Sequence, residues 1–186
     1  ALLQHPSSAS LAKNACGAIF ALSQHHHANK VLFGTLGACE ALCRVLTEHG
    51  FYVEIARPAC AAVENLAEIE ANNSRFAAAA AGCECVVRAL ITHSMDVEVA
   101  RRACGAIRVL SLNTENSSTL GQLGGCEAVV QTLVTHMTEP YVACNACAAI
   151  RTLSLNERNL WRFVRVNICD VLMLTLNAHL HNAAVA

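Results

Sequence analysis

Apolar residues recur along this chain at helical spacing, in stretches divided by Gly, Asn or Pro. Within 125–136, Val129, Val130, Leu133 and Val134 fall one turn apart, a period near 3.6 that gathers them on one side of a helix. The pair Gly124-Gly125 in front of them breaks a shorter helix expected over 116–123 and turns the chain, as Gly does at a helix end. Downstream, Thr138-Glu139-Pro140 reads as another helix start, with Thr or Glu capping and Pro in the first turn. That helix is expected to run to about 155 and to bury Cys147, Ile150 and Leu153. No β-branched alternating run bounded by turn signals occurs, so essentially no sheet is expected.

The same pattern returns. Ala15-Cys16-Gly17-Ala18-Ile19 recurs as Ala59-Cys60-Ala61-Ala62-Val63, as Ala103-Cys104-Gly105-Ala106-Ile107 and as Ala146-Cys147-Ala148-Ala149-Ile150, spaced 44, 44 and 43 residues. A second column holds Cys39, Cys83, Cys126 and Cys169, followed by Glu40, Glu84, Glu127 and Asp170. A third holds His5, His49, His93, His136 and His179, and a fourth Asn29, Asn73, Asn116 and Asn159. Four columns keeping one phase identify a repeat of 43 to 44 residues, each unit reading as three helices. One such unit cannot bury its own apolar faces, whereas stacked units can, so the expected product is an α-solenoid with a continuous core. The units divide as 1–24 (partial), 25–68, 69–112 and 113–155 (full) and 156–186 (partial), one domain in all. The opening Ala1-Leu2-Leu3-Gln4-His5-Pro6 lacks an initiator Met and a basic leader, and neither end offers a polar capping helix. A fragment of a longer array is the expectation.

Composition adds exclusions. With 186 residues, 54% hydrophobic, 15% charged and 4% aromatic, the chain has material for a sizeable core and lacks the signature of disorder. A net charge of −1 gives no global attraction to nucleic acid or to an anionic membrane. The best candidate for a membrane span, 76–91, is broken by Glu84 and Arg88. Eleven cysteines in a secreted chain would suggest disulfides, but here they sit inside apolar periodic segments, where a reduced Cys acts as a small hydrophobe. The expected setting is therefore reducing and intracellular: cytoplasmic, with the nucleus also open.

Three helices in 43 to 44 residues, a Gly before the second and an Ala-rich third resemble the armadillo repeat over nearly the whole chain. The segment from Asn116 to Gly124 favours armadillo over the two-helix HEAT repeat. The resemblance implies a right-handed superhelix whose third helices line a concave groove that binds extended peptides or other proteins. In the importin-α type of groove, Trp and Asn ladders clamp basic segments. Aligned on the third helix, the Trp column falls here at Gly17, Ala61, Gly105 and Ala148, and the Asn column at Ala21, Asn65, Val109 and Thr152. Only Asn65 matches, so Lys stems have no indole to stack on.

One turn earlier on the same helical face stand Lys13, Arg57, Arg101 and Cys144, and beside the ladder face Phe20, Glu64, Arg108 and Arg151. This predicts a basic stripe in the groove, which resembles β-catenin-type grooves that use basic residues to bind acidic peptides, and Arg side chains can hold carboxylates in a bidentate fork. The candidate groove residues are thus Lys13, Arg57, Arg101, Arg108 and Arg151 for charge and Asn65 for peptide backbone. The competing reading makes them solvated positions balanced by Glu54, Glu64 and Glu98.

Other constellations point to structure. Cys144-x-x-Cys147 and Cys83-x-Cys85 could suggest zinc or redox chemistry, yet Cys144 and Cys147 lie one helical turn apart, as do Cys39 and Cys43, and core packing is the expectation. Each His of its column closes a second helix, where it can meet orphan carbonyls or the dipole. His25-His26-His27 reads as a solvated loop and the Asn column as satisfying backbone groups in the turns. Trp161 and Phe163 are larger than their counterparts and await burial by a neighbour or a partner. Pro58, inside a third helix, predicts a kink or a late helix start. No phosphate loop or isolated catalytic group is present, so no catalytic residue, metal or cofactor is assigned. The expectation is a protein-binding scaffold for an extended acidic segment, with a structural assembly module, open to self-association through its ends, as the alternative. A thiol or metal sensor stands third and would require stoichiometric zinc or a low-pKa thiol.

Overall fold

The computed structural model describes residues 9–79 and 81–180; His5 lies outside them. They fold into twelve α-helices, with no strand among the described residues: α1 Ala9–Ser23, α2 His27–Thr35, α3 Ala38–His49, α4 Val53–Ala67, α5 Glu70–Ala78, α6 Gly82–Thr92, α7 Val97–Leu110, α8 Thr114–Gln122, α9 Gly125–Thr135, α10 Pro140–Leu153, α11 Glu157–Arg165 and α12 Ile168–Ala178. A short, a medium and a long helix alternate in that order. Packing runs in three rows: α1, α4, α7 and α10 in one, α3, α6, α9 and α12 in another, and α2, α5, α8 and α11 in the third.

The core lies between the rows. Cys16, Cys60 and Cys104 are fully buried along the long-helix row beside Ala59, Ala103 and Ala146, and small residues at these positions let the helices approach closely. Leu42, Leu90 and Leu133 fill the medium-helix side. Burial pushes the thiols of Cys16, Cys39, Cys60, Cys83, Cys104 and Cys126 up to about 12, so they pack as neutral apolar groups. Cys144 and Cys169 are exposed, Cys147 is half-buried, and all eleven cysteines are free.

Hydrogen bonds stitch one unit to the next along the other two rows. Asn72 Nδ2 donates to the Lys30 carbonyl (2.9 Å), Asn116 Nδ2 to the Asn73 carbonyl (2.9 Å) and Asn159 Nδ2 to the Ser117 carbonyl (2.8 Å). The asparagines therefore bridge units, beyond serving their own turns. The structurally equivalent residue in the second unit is Asn72, not Asn73: each bridging Asn is the third residue of its short helix. The displaced register has a local cause. Elsewhere the short and medium helices are joined by two residues ending in a left-handed backbone (Gly37 φ 82°, Gly124 φ 80°, Asn167 φ 52°). Between α5 and α6 three residues intervene, and Ala81 before α6 has φ −118°. The three alanines of this linker include no residue type suited to positive φ, and the linker is one residue longer than its counterparts.

The histidines form the second ladder. The Nε2–H of His93 donates to the Gly50 carbonyl (2.7 Å), that of His136 to the Ser94 carbonyl (2.7 Å) and that of His179 to the Met137 carbonyl (2.6 Å). Each thus serves a carbonyl just past the medium helix of the preceding unit, where helix ends leave acceptors unpaired. Glu40 pairs with Arg75 (3.6 Å) and Glu127 with Arg162 (3.3 Å) between units.

Three local expectations resolve differently. Pro58 does not delay its helix: it lies inside α4, which starts at Val53, with no late start relative to α7 or α10. Within 25–27, His26 caps α2 through Nδ1, which accepts from Asn29 N–H (3.2 Å), and His25 turns the chain with φ 56°. Phe163 is buried at 1% exposure while Trp161 is 62% exposed, so one aromatic is core and the other surface.

Candidate functional site

The long-helix row carries every groove residue named above. Lys13 lies on α1, Arg57 and Asn65 on α4, Arg101 and Arg108 on α7, and Arg151 on α10. Residues seven apart share a helix face, so Arg57 and Glu64, Arg101 and Arg108, and Cys144 and Arg151 point the same way.

On this face the guanidinium carbon of Arg102, on α7, lies 4.6 Å from the ring centroid of Phe20, on α1. The two side chains meet over α4, and Ala61 on that face of α4 is only 2% exposed.

Most of the cations here already hold a carboxylate. Arg57 grips Asp96 with both arms, Nε to Oδ1 at 3.1 Å and Nη2 to Oδ2 at 2.5 Å. Asp96 also caps α7, its Oδ1 accepting from Val99 N–H at 2.9 Å. The hydrogen bonds from Arg57 hold the Asp96 carboxyl below its usual range. Arg101 forks onto Glu98 at 3.0 and 2.6 Å, and Arg102 Nε reaches the same carboxylate at 2.9 Å. Burial opposes the charge on Glu98, but the two arginines prevail and its pKa is lowered.

Glu64 is different. Arg102 and Arg108 approach its carboxylate only to 3.6 Å each. Its side chain is 14% exposed, and burial raises its pKa despite the pull of Arg102, Arg108 and Arg101. The carboxylate lies across Gly105, where a methyl group would overlap its oxygens. A side chain at this position of α7 would push the Glu64 carboxylate aside.

Lys13 and Arg151 are exposed and make no ion pair within 4 Å among the described residues. Asn65 is buried, and its Nδ2 donates to the Phe20 carbonyl (3.2 Å) and to Ser23 Oγ (3.1 Å), tying α4 to α1. That amide group is committed inside the protein. Of the three carboxylates weighed as balancing charges, Glu64 and Glu98 do pair, and Asp96 takes the third place.

Arg102 is the residue that sequence reasoning left out. Its spacing from Glu98 (i, i+4) was legible as an intrahelical pair, whereas its contact with Phe20 depends on how α1, α4 and α7 stack, which no local pattern carries. Among the described residues, no group of three or more His, Cys, Asp or Glu side chains is placed to hold a metal ion, and no helix is long and apolar enough to cross a membrane. No protein-family model matches the chain, and no curated protein matches it.

Proposed function

We propose that this chain forms a right-handed α-solenoid of armadillo type and acts as a non-enzymatic scaffold, binding an extended acidic segment of another protein along its long-helix face. The observation carrying this reading is the placement of Lys13, Arg57, Arg101, Arg102, Arg108 and Arg151 along the long-helix row, against three carboxylates in contact with them. A row of parallel helices gives an extended ligand a track, and cations along that track steer and orient acidic side chains. Lys13 and Arg151, near the two ends of the row, are free to bind directly. Arg102 and Arg108, each 3.6 Å from Glu64, contribute by exchanging that carboxylate for an external one, while Arg57 and Arg101 keep their own partners and add to the local positive field.

Fluorescence anisotropy with a labelled eight-residue glutamate peptide tests it. Lys13→Glu combined with Arg151→Glu leaves the ion pairs of Asp96, Glu98 and Glu64 in place, so the variant keeps its fold. Binding by the wild type that weakens with salt and is lost in the variant supports the acidic-ligand reading. Equal binding by both proteins, or none by either, overturns it.

A second reading has its own observation. On α11 and α12 Leu160, Trp161, Val164, Met173 and Leu174 are all exposed, an apolar concentration suited to assembly through that end. Sedimentation of the wild type and of Trp161→Ser separates the readings: self-association removed by the substitution favours assembly.

A further inference from the structure

We infer that Glu64 is an internal stand-in for the partner's carboxylate: it occupies the cradle over Gly105, between Arg102 and Arg108, into which an Asp or Glu side chain of the ligand docks after displacing it. This rests on the acidic-ligand reading above and names the place on the face where specificity is set.

Position is the first argument. Glu64 sits in the column of Phe20, Arg108 and Arg151, and it is the one acid among them. Its oxygens lie over the bare backbone of Gly105, with a guanidinium 3.6 Å away on each side. Two guanidinium groups over a Gly-floored recess form a carboxylate site, and the occupant here comes from the chain itself.

That occupant is also weakly held. Asp96 and Glu98 receive forked hydrogen bonds at 2.5 to 3.1 Å, so replacing either with a ligand carboxylate gains nothing. Both contacts of Glu64 are longer than a hydrogen bond. Its carboxylate is desolvated more than its neighbours compensate, as the raised pKa reflects. Glu64 is therefore the carboxylate that leaves first. Swung out to solvent, it recovers hydration and frees both arginines for an incoming acid. Arg102 keeps its places on Glu98 and Phe20 throughout, so the cradle stays formed during the exchange.

The test compares wild type, Glu64→Gln, Glu64→Ala and Glu64→Ala with Gly105→Ala, all titrated with the labelled octaglutamate peptide at low salt. Circular dichroism and a thermal melt establish that each is folded. Glu64→Ala is expected to bind about tenfold tighter than wild type, since removing a competing charge next to a desolvated Arg pair is an effect of that order. Glu64→Gln drops the charge but keeps the side chain over Gly105, so a smaller gain is expected. The added methyl of Gly105→Ala occupies the recess and is expected to erase the gain. Peptide binding no tighter in Glu64→Ala than in wild type overturns the inference, and so does a gain that survives Gly105→Ala. If those results come while Lys13→Glu with Arg151→Glu still abolishes binding, the acidic-ligand reading stands and only the stand-in role falls. Absence of binding by wild type and every variant removes both.

Discussion

The same face of the long-helix row is built in two ways. Over α4 and α7 it is filled: Phe20, Glu64, Arg101, Arg102 and Arg108 interlock with Glu98, and Ala61 beneath them is sealed from solvent. Over α10 it is open, with Tyr141, Cys144 and Arg151 exposed. Part of the difference is position, since α7 and α10 have equal lengths but α7 packs between two long helices, α4 and α10, whereas among the described residues α10 has only α7 beside it in the row. Single residues supply the rest. The position of Arg102 on α7 is Pro58 on α4 and Asn145 on α10, and Asn145 turns to the Arg101 carbonyl (3.1 Å) without crossing the face. A stack of repeated helices can therefore rewrite its surface one column at a time.

Removing Arg102 should show the contrast most strongly. Arg102→Ala strips Glu64 of one guanidinium and Phe20 of its cation, and a loss of about 2–3 kcal/mol is expected in chemical denaturation. Pro58→Ala at the matching position of α4 should act in the opposite direction. Proline inside the helix removes a backbone hydrogen bond, and after allowing for its stiffening of the unfolded chain, a gain of about 2 kcal/mol in the same assay is expected. Asn145→Ala removes one neutral bridge between α10 and α7 and should cost about 1 kcal/mol. On the open stretch, Arg151→Ala should shift stability by less than about 0.5 kcal/mol, as exposed unpaired charges do.

Acid should divide the filled region itself. Asp96 has a folded pKa held below its ordinary value of 3.8, so its stabilisation is present above that value and lost as pH falls through the folded one. Glu64 has a folded pKa raised above 4.5, so its contribution is greatest below that value and is lost as pH rises through the raised one. Urea unfolding followed from about pH 7 to about pH 3 should therefore show less acid sensitivity in Arg57→Ala, where the depressed group has lost its partner. Glu64→Gln should show more, because the opposing rise is gone.

Much of the fold was legible because its determinants are local and repeated. Helix-period stretches, Gly turns and Pro140 at the first position of α10 gave the elements, and the Ala-Cys columns marked buried faces. The Asn register of the second unit was misread at Asn73 because the insertion lies between α5 and α6, and counting from Cys83 shifts the assignment by one residue. The His and Asn ladders were visible as columns, but their partners stand 42 to 43 residues away, so only three-dimensional stacking reveals what they bond. The same holds for the basic stripe. Its residues were identifiable from phase, whereas Arg57 meeting Asp96 across 39 residues follows from how α4 and α7 stack. Asn65 illustrates the limit best. A column shared with a peptide-gripping asparagine put it in the groove, but Ser23 beside it on α1 draws its amide inward.

The most direct test of a partner on the long-helix face is amide chemical-shift mapping of the chain titrated with the octaglutamate peptide. The account expects perturbed amides to concentrate on α4, α7 and α10, around Arg57, Gly105 and Arg151. Shifts confined to α11 and α12, or an unchanged spectrum at saturating peptide, would contradict it.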